Sequence, residues 1–321
     1  MPLFSSFGIA AAFGGMLLVG GLEALYGPSL VRVIAVLDAP PVAVGMIISA
    51  HFIGGLLGVL TAQSVHKRLG NRILLGAGYL LLVGGSLAFA WAPALVFSIG
   101  ASAIAGLGFG VLDYALSHLF AIAFGVTAPR MLNLLHGFFG IGAILAPLAV
   151  AAVGAERYPL YFSGFAALAL IAALGIRGVA PTPTQRSHGA DPSIHDTAAR
   201  SHQTRMSASM FGVLAALVGV FVLHVAVGSG VGSWEATYLV LGGTSPEQAA
   251  VASSLFWFCM TVSRFTMAKL STRIRPGVLV TLSCALMVIG SLLAAMPGYA
   301  IAGLAIVGLA IGPVFPTALA W

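Results

Sequence analysis

Ten long stretches of this chain are nearly free of charged side chains, and that feature restricts its fold more than any other. They lie near 5–29, 42–65, 72–92, 94–125, 131–154, 158–176, 208–232, 247–270, 276–296 and 299–320. Most reach the roughly 20 apolar residues that an α-helix needs to cross a hydrocarbon layer about 30 Å thick. Barrel strands are excluded because the runs do not alternate between apolar and polar residues. An open sheet is excluded because its edge amides would go unpaired in lipid. The 321 residues are 60% hydrophobic and 7% charged, against about 25% charged in a soluble domain, whose surface must be hydrated. The expected class is an all-α membrane protein of about ten helices.

The net charge of +6 invites a nucleic-acid reading, and the placement of the charges argues against it. With the N-terminus in the cytoplasm, Lys67, Arg68, Arg72, Arg130, Arg177, Arg186, Arg200, Arg205, Arg264, Lys269, Arg273 and Arg275 fall at or near the inner face. Only Arg32 and Arg157 fall outside, so twelve of the 14 basic residues obey the positive-inside bias. A multi-pass protein of the inner (plasma) membrane accounts for the charge with no nucleic acid. The start MPLFSSFG has no basic region before its apolar run, so it reads as the first span rather than a cleaved signal. Cys259 and Cys284 lie in apolar runs and read as small hydrophobes.

Prolines mark where several spans begin, at Pro40-Pro41, Pro93, Pro159, Pro246 and Pro276. Ser245 before Pro246 and Glu247 reads as an N-cap with early negative charge. Residues 177–207 are polar and rich in Pro, Ser, Thr and His, and cannot bury a core. They read as a cytoplasmic linker between an N-terminal six-helix bundle, 1–176, and a C-terminal bundle, 208–321. His188, His195 and His202 within the linker match no compact zinc spacing.

The halves repeat. Lys67-Arg68-Leu69-Gly70-Asn71-Arg72 joins helices two and three, and Lys269-Leu270-Ser271-Thr272-Arg273-Ile274-Arg275 joins eight and nine. Gly106-x-Gly108-x-Gly110 in helix four has a counterpart in Gly308 to Pro313. A parallel repeat of six-helix halves is a transporter architecture. By that repeat the second half, with four helices, is expected to be two spans short. Gly54/Gly58 and Gly106/Gly110 form small-xxx-small faces for close helix packing.

Charges inside spans cost about 2.5–3.5 kcal/mol and point to function. Asp113 in helix four is the clearest candidate, since hydrocarbon disfavours its charged form and makes it a plausible proton carrier; the structural alternative is a pair with a neighbouring helix. Glu23 lies late in helix one, before Gly27-Pro28. His51 near the middle of helix two, His224 in helix seven, and His118 and His136 toward the cytoplasmic side can shuttle protons or serve as hydrogen-bonded packing residues. Glu235 beside Trp234 reads as a solvated interfacial residue. Arg264, near the inner end of helix eight, reads as a side chain that snorkels to the interface or binds loop carbonyls. Phe138, Phe139, Trp257 and Tyr238 suit packing, a sugar face or an apolar drug site.

These residues also resemble a family. Gly108-Phe109-Gly110-Val111-Leu112-Asp113 is similar to the fourth helix of the fucose permease branch of the major facilitators, where a Gly-x-Gly-x-x-acid run carries an acid implicated in proton coupling. Arg130 to Gly140, with Asn133, His136 and Phe138, resembles that branch's fifth-helix start, Arg-x-Asn-x-x-Gln/His-x-Phe. Gly312-Pro313-Val314-Phe315-Pro316-Thr317 is similar to its tenth helix, and Trp234 with Tyr238-Leu239 to its seventh. In the loop after helix two, Arg68, Gly70 and Arg72 match the general facilitator motif, while Gln63 replaces its Gly and Lys67 its Asp. Ser117 stands where the branch often has Asn, and Gly228 where many relatives have Glu. The resemblance implies two six-helix bundles related by a pseudo-two-fold axis, alternating access, and a small polar solute driven by protons. The resemblance implies proton or solute contacts for Asp113, Asn133 and His136 and, as a rough match to the branch's first-helix acid, Glu23; the reading of intramembrane ionisable residues adds His51 and His224, and Lys67, Arg68, Gly70 and Arg72 form the gating loop.

The expected function is therefore a proton-coupled transporter of a small solute, with a sugar among the candidates, acting as a monomer in the bilayer. No cofactor, metal or enzymatic site is expected, because no nucleotide loop or zinc-spaced cluster is present. The rivals are efflux of amphipathic compounds by proton antiport, and a non-transporting sensor or remnant.

Overall fold

The computed structural model describes residues 3–181, 208–270, 275–312 and 314. Ten α-helices run through these residues: α1 Ser6–Leu37, α2 Pro41–Leu69, α3 Asn71–Ala90, α4 Leu95–Phe124, α5 Ala128–Val153, α6 Tyr158–Ala173, α7 Ala208–Leu241, α8 Pro246–Leu270, α9 Pro276–Ala294 and α10 Ala300–Ile311. No strand occurs among the described residues, only an isolated bridge between Phe4 and Val179. By length and composition α1, α2, α3, the α4–α5 pair, α6 with its flanking turns and α9 qualify as membrane spans. Large side chains such as Val42, Leu80, Val96 and Leu223 stand exposed on the outside, which only a hydrocarbon solvent tolerates on this scale. Residues 182–207, with His188, His195 and His202, lie outside the described residues, as do Ser271–Ile274, Pro313 and Phe315–Trp321.

Local signals set the helix starts. The Ser5 hydroxyl accepts from Gly8 N at 3.1 Å and caps α1, and Ser245 accepts from Gln248 N at 3.3 Å and caps α8. Two helix ends differ from the sequence expectation. α1 continues through Pro28 to Leu37, and α7 continues past Trp234 to Leu241. An interior proline removes a backbone hydrogen bond and favours an end in a soluble helix. In lipid a broken helix exposes unpaired backbone groups, so the helix persists until polar residues can end it. Asp38, at φ 45°, terminates α1, its backbone N–H donating to Ile34 O. Gly243, at φ 91°, turns the chain after α7.

Backbone contact between glycine faces builds the first bundle. A Cβ on Gly54 would meet the Ala103 carbonyl oxygen, and one on Gly58 the Leu107 carbonyl oxygen; from α4, Gly106 faces the His51 carbonyl and Gly110 the Gly55 carbonyl. The two small-xxx-small faces are thus each other's partner. α1 and α5 meet the same way, with Gly142 on the Leu17 carbonyl and Gly20 on the Phe139 carbonyl. Tyr26, Phe89 and Phe162 form a buried aromatic knot beside these seams.

At the basic end the loop between α2 and α3 grips the chain as it leaves α6. Asn71 N donates to Pro181 O at 3.1 Å, and Asn71 Nδ2 donates to Ala180 O at 3.1 Å. Arg72 Nε donates to Val179 O at 2.6 Å and an Arg72 η-nitrogen to Arg177 O at 3.1 Å. The N-terminal strap joins in, with Ser5 N donating to Gly178 O and Ala180 N to Leu3 O. Hydrogen bonds from a charged donor contribute about 1.5–3 kcal/mol, less at this partly exposed site. Arg72→Ala is therefore expected to lower the melting temperature in detergent by a few degrees, at roughly 2–4 °C per kcal/mol. An unchanged melting temperature would remove Arg72 from the clasp.

The helices group as α1–α6 and α7–α10, joined along a seam. α5 and α8 pack along much of their length: Ser254 Oγ donates to Ile144 O at 2.9 Å, Gly140 faces Thr261, and Gly137 faces the Phe265 ring. Ala24 and Ala143 from the first group share a buried cluster with Phe256, Trp257, Met260, Val307 and Ile311 from the second. Away from the basic end, Gly27 abuts the Gly232 carbonyl and Gly45 lies under the Trp234 indole.

Candidate functional site

The seam gathers ionisable side chains from five helices. Glu23 on α1 lies within electrostatic reach of Arg264 on α8 and Asp113 on α4, and beside Ser229 on α7. Arg264 also acts on His136 of α5 and on His224 of α7. Glu23, Asp113, His136 and Arg264 are half-buried. His224 is buried, and its position also brings it into this electrostatic group. Charges separated by low dielectric act strongly on each other.

The helix register explains the convergence. Trp257, Met260, Thr261 and Arg264 share one face of α8 at helical spacing. Thr261 is held against Gly140 of α5, and Met260 and Trp257 are buried with Ala24 of α1. That packing turns Arg264 into the seam instead of toward the membrane interface, correcting the snorkelling expectation. His136 sits next to Gly137, whose contact with Phe265 fixes α5 against α8. The His136 ring also meets Ser117 of α4 at 3.5 Å, one helical turn beyond Asp113.

The other candidates lie elsewhere. His51 is 1% exposed inside the first bundle, ringed by Tyr26, Phe52 and Phe109, a packing environment away from the seam. Asn133 is exposed, about one turn nearer the basic end than His136. Lys67 and Arg68 are exposed in the last turn of α2. Gly70 has φ 75°, and it stands with Arg72 in the clasp within the first bundle. His118 stacks on Tyr114 at 5.4 Å and meets His66 at 4.8 Å, at the α2–α4 margin. Glu235 is 2% exposed between α7 and α8, with Ser253 opposite, which corrects the expectation of a solvated carboxylate; small residues Ala236, Ala249 and Ala252 let the helices close over it. Cys259 is buried and Cys284 exposed, both as free thiols. No group of three metal-ligating side chains occurs among the described residues.

The signal for Arg264 was its shared helical face with Trp257 and Met260. Read alone, six residues before the end of α8, it resembles an interfacial arginine.

Solved structures share this arrangement. The xylose transporter XylE from E. coli, in a partially occluded inward open conformation, superposes with a TM-score of 0.73 at 14% identity over 98% of this chain and 85% of that chain. A D-xylose-proton symporter gives 0.74 at 14% identity over 96% and 80%, and the nucleoside transporter NupG gives 0.70 at 16% over 96% and 79%. At such identities the likeness speaks for the all-α fold alone. No curated protein sequence matches the chain. The sequence profile of the Major Facilitator Superfamily matches residues 5–321, nearly the whole chain, and the protein belongs to that superfamily of transporters.

Proposed function

We propose that the protein is a secondary active transporter that moves a small polar solute together with protons, by alternating access between its two bundles. The observation that carries this reading is the meeting of Glu23, Asp113, Arg264, His136 and His224 at the seam. Ionisable groups in hydrocarbon are costly, and a structural role would favour closed ion pairs within one bundle. These groups instead come from both bundles and lie within electrostatic reach of one another across the seam. Asp113 and Glu23 act as the proton carriers, with His136 and Ser117 on the route toward the basic end.

In this reading residues 1–176 and 208–321 are the moving bundles, joined by the linker 177–207. The basic end faces the cytoplasm of the inner membrane, following the positive-inside bias, and the protein works as a monomer. The tight contacts of Gly27 with Gly232 and of Gly45 with Trp234 then close the outer side. Lys67, Arg68, Gly70 and Arg72 contribute to gating by stiffening the first bundle through the clasp. The fucose permease branch, with a sugar as solute, remains the reading of Asp113 and its glycine run. A second reading, efflux of amphipathic compounds by proton antiport, is favoured by the aromatic wall at the seam, where Phe139 meets Trp257 edge to face at 6.4 Å.

Proton flux in proteoliposomes tests the proposal. A transported solute is expected to drive alkalinisation outside the vesicles as it enters, and Asp113→Asn should reduce that signal at least tenfold while leaving solute exchange measurable. Undiminished alkalinisation in Asp113→Asn would count against its role. For antiport, the proton signal reverses sign.

A further inference from the structure

We infer that the solute carries an anionic group, a carboxylate in the simplest case, and that this group pairs with the Arg264 guanidinium. The inference rests on the transport reading above and deepens it by naming the solute's chemical class.

A guanidinium offers five N–H donors in a fixed fork. Among the described residues, the Arg264 Nε–H is buried without a hydrogen-bond partner, and an η-nitrogen meets the Met260 sulfur at 3.8 Å. A thioether is a weak acceptor. Buried cations are normally paired, because an unpaired one forfeits its hydration without replacement. Glu23 attracts Arg264 through space but does not bond its Nε. The Arg264 side chain as a whole is half-buried at the seam between the bundles, and His136, whose imidazole can donate, lies within its electrostatic reach. Among the described residues, Glu23 and Asp113 are the acidic groups within the cluster. A carboxylate entering the seam would meet a planar fork suited to bidentate pairing, and it would satisfy the donors that the protein leaves open.

The same geometry couples the anion to a proton. Ionised Glu23 competes with the solute for the guanidinium and repels it. Protonated Glu23 does neither, so the proton and the anion favour each other's binding, and the coupling is reciprocal. Both are then released when the bundles exchange the side on which the seam opens.

Matched pairs of small compounds test the inference on the purified full chain in detergent: glucose with glucuronate, glycerol with glycerate, and benzyl alcohol with benzoate. Thermal stabilisation should come from carboxylate members, and Arg264→Gln should weaken that effect at least tenfold. Arg264→Lys, which keeps the charge and loses the fork, should fall between, and it serves if the glutamine variant does not fold. Stabilisation by the neutral members alone, by no carboxylate, or equally in Arg264→Gln would overturn the inference. The same pairs in proteoliposomes separate its failure from that of the transport reading. Proton movement driven by a neutral member, unchanged in Arg264→Gln, would remove the anion and leave transport standing. Arg264-dependent carboxylate binding with no proton or solute flux would leave the anion site standing and remove transport.

Discussion

Leucine at Gly106 or Gly110 is expected to eliminate the folded protein, lowering the monodisperse fraction recovered in detergent at least tenfold. The first atom of any side chain at Gly106 would land on the His51 carbonyl oxygen, and at Gly110 on the Gly55 carbonyl oxygen. Neither obstacle is a side chain that can turn away. α2 and α4 would have to separate along their whole contact, where Gly54 and Gly58 sit equally close to the Ala103 and Leu107 carbonyls. Overpacking costs about 1–3 kcal/mol at ordinary core sites, where side chains can adjust. Here the close approach itself is the attraction, since lipid tails give helices no hydrophobic reason to associate. Gly84→Leu and Gly100→Leu are the controls, because a Cβ at either position meets nothing within 4 Å. Both should fold as the parent does. If the Gly106 and Gly110 variants also fold, the glycine seam does not hold the bundle together.

The second large effect falls on the seam between the bundles. Gly27→Val is expected to leave each bundle folded and to reduce transport at least tenfold. A Cβ at residue 27 would stand 2.6 Å from the Gly232 carbonyl oxygen, and valine adds two methyl groups there. Within one bundle such a clash would threaten folding. Between two bundles that move, it penalises the closed state of this end and favours the state in which the end is open. A penalty of about 2.7 kcal/mol shifts that population roughly a hundredfold, which arrests a cycle needing both states. Size-exclusion behaviour like the parent's, with lost transport, supports this reading. Normal transport in Gly27→Val would mean that this end does not open and close.

Much of the architecture was legible because its causes are local. Long apolar runs demand helices in lipid, and Ser5, Ser245 and the prolines mark their starts. The ends of α1 and α7 were less legible, since Pro28 is tolerated inside a membrane helix and Trp234 marks an interface rather than a helix end. Asp113, Glu23, His136 and His224 were visible as ionisable groups in apolar stretches. Which of them meet was not visible, because convergence depends on how each helix is rotated. His51 is as central in its helix as Asp113, yet α2 turns it toward Tyr26 and Phe109, into the first bundle's core. Arg264 is the reverse case. Its distance along α8 suggested the interface, and the packing of Met260 and Trp257 against α1 and α5 brings it to the centre of the cluster.

Alternating access is the claim on which the functional reading stands, and a distance across the seam measures it most directly. Spin labels at positions 42 and 241 sit on exposed side chains, 87% and 76% accessible, near the start of α2 and at the end of α7. In lipid nanodiscs the parent should give two distance populations, the shorter matching the closed seam and the longer enriched by Gly27→Val. One distance, identical in parent and variant across acidic and neutral pH, would contradict the account.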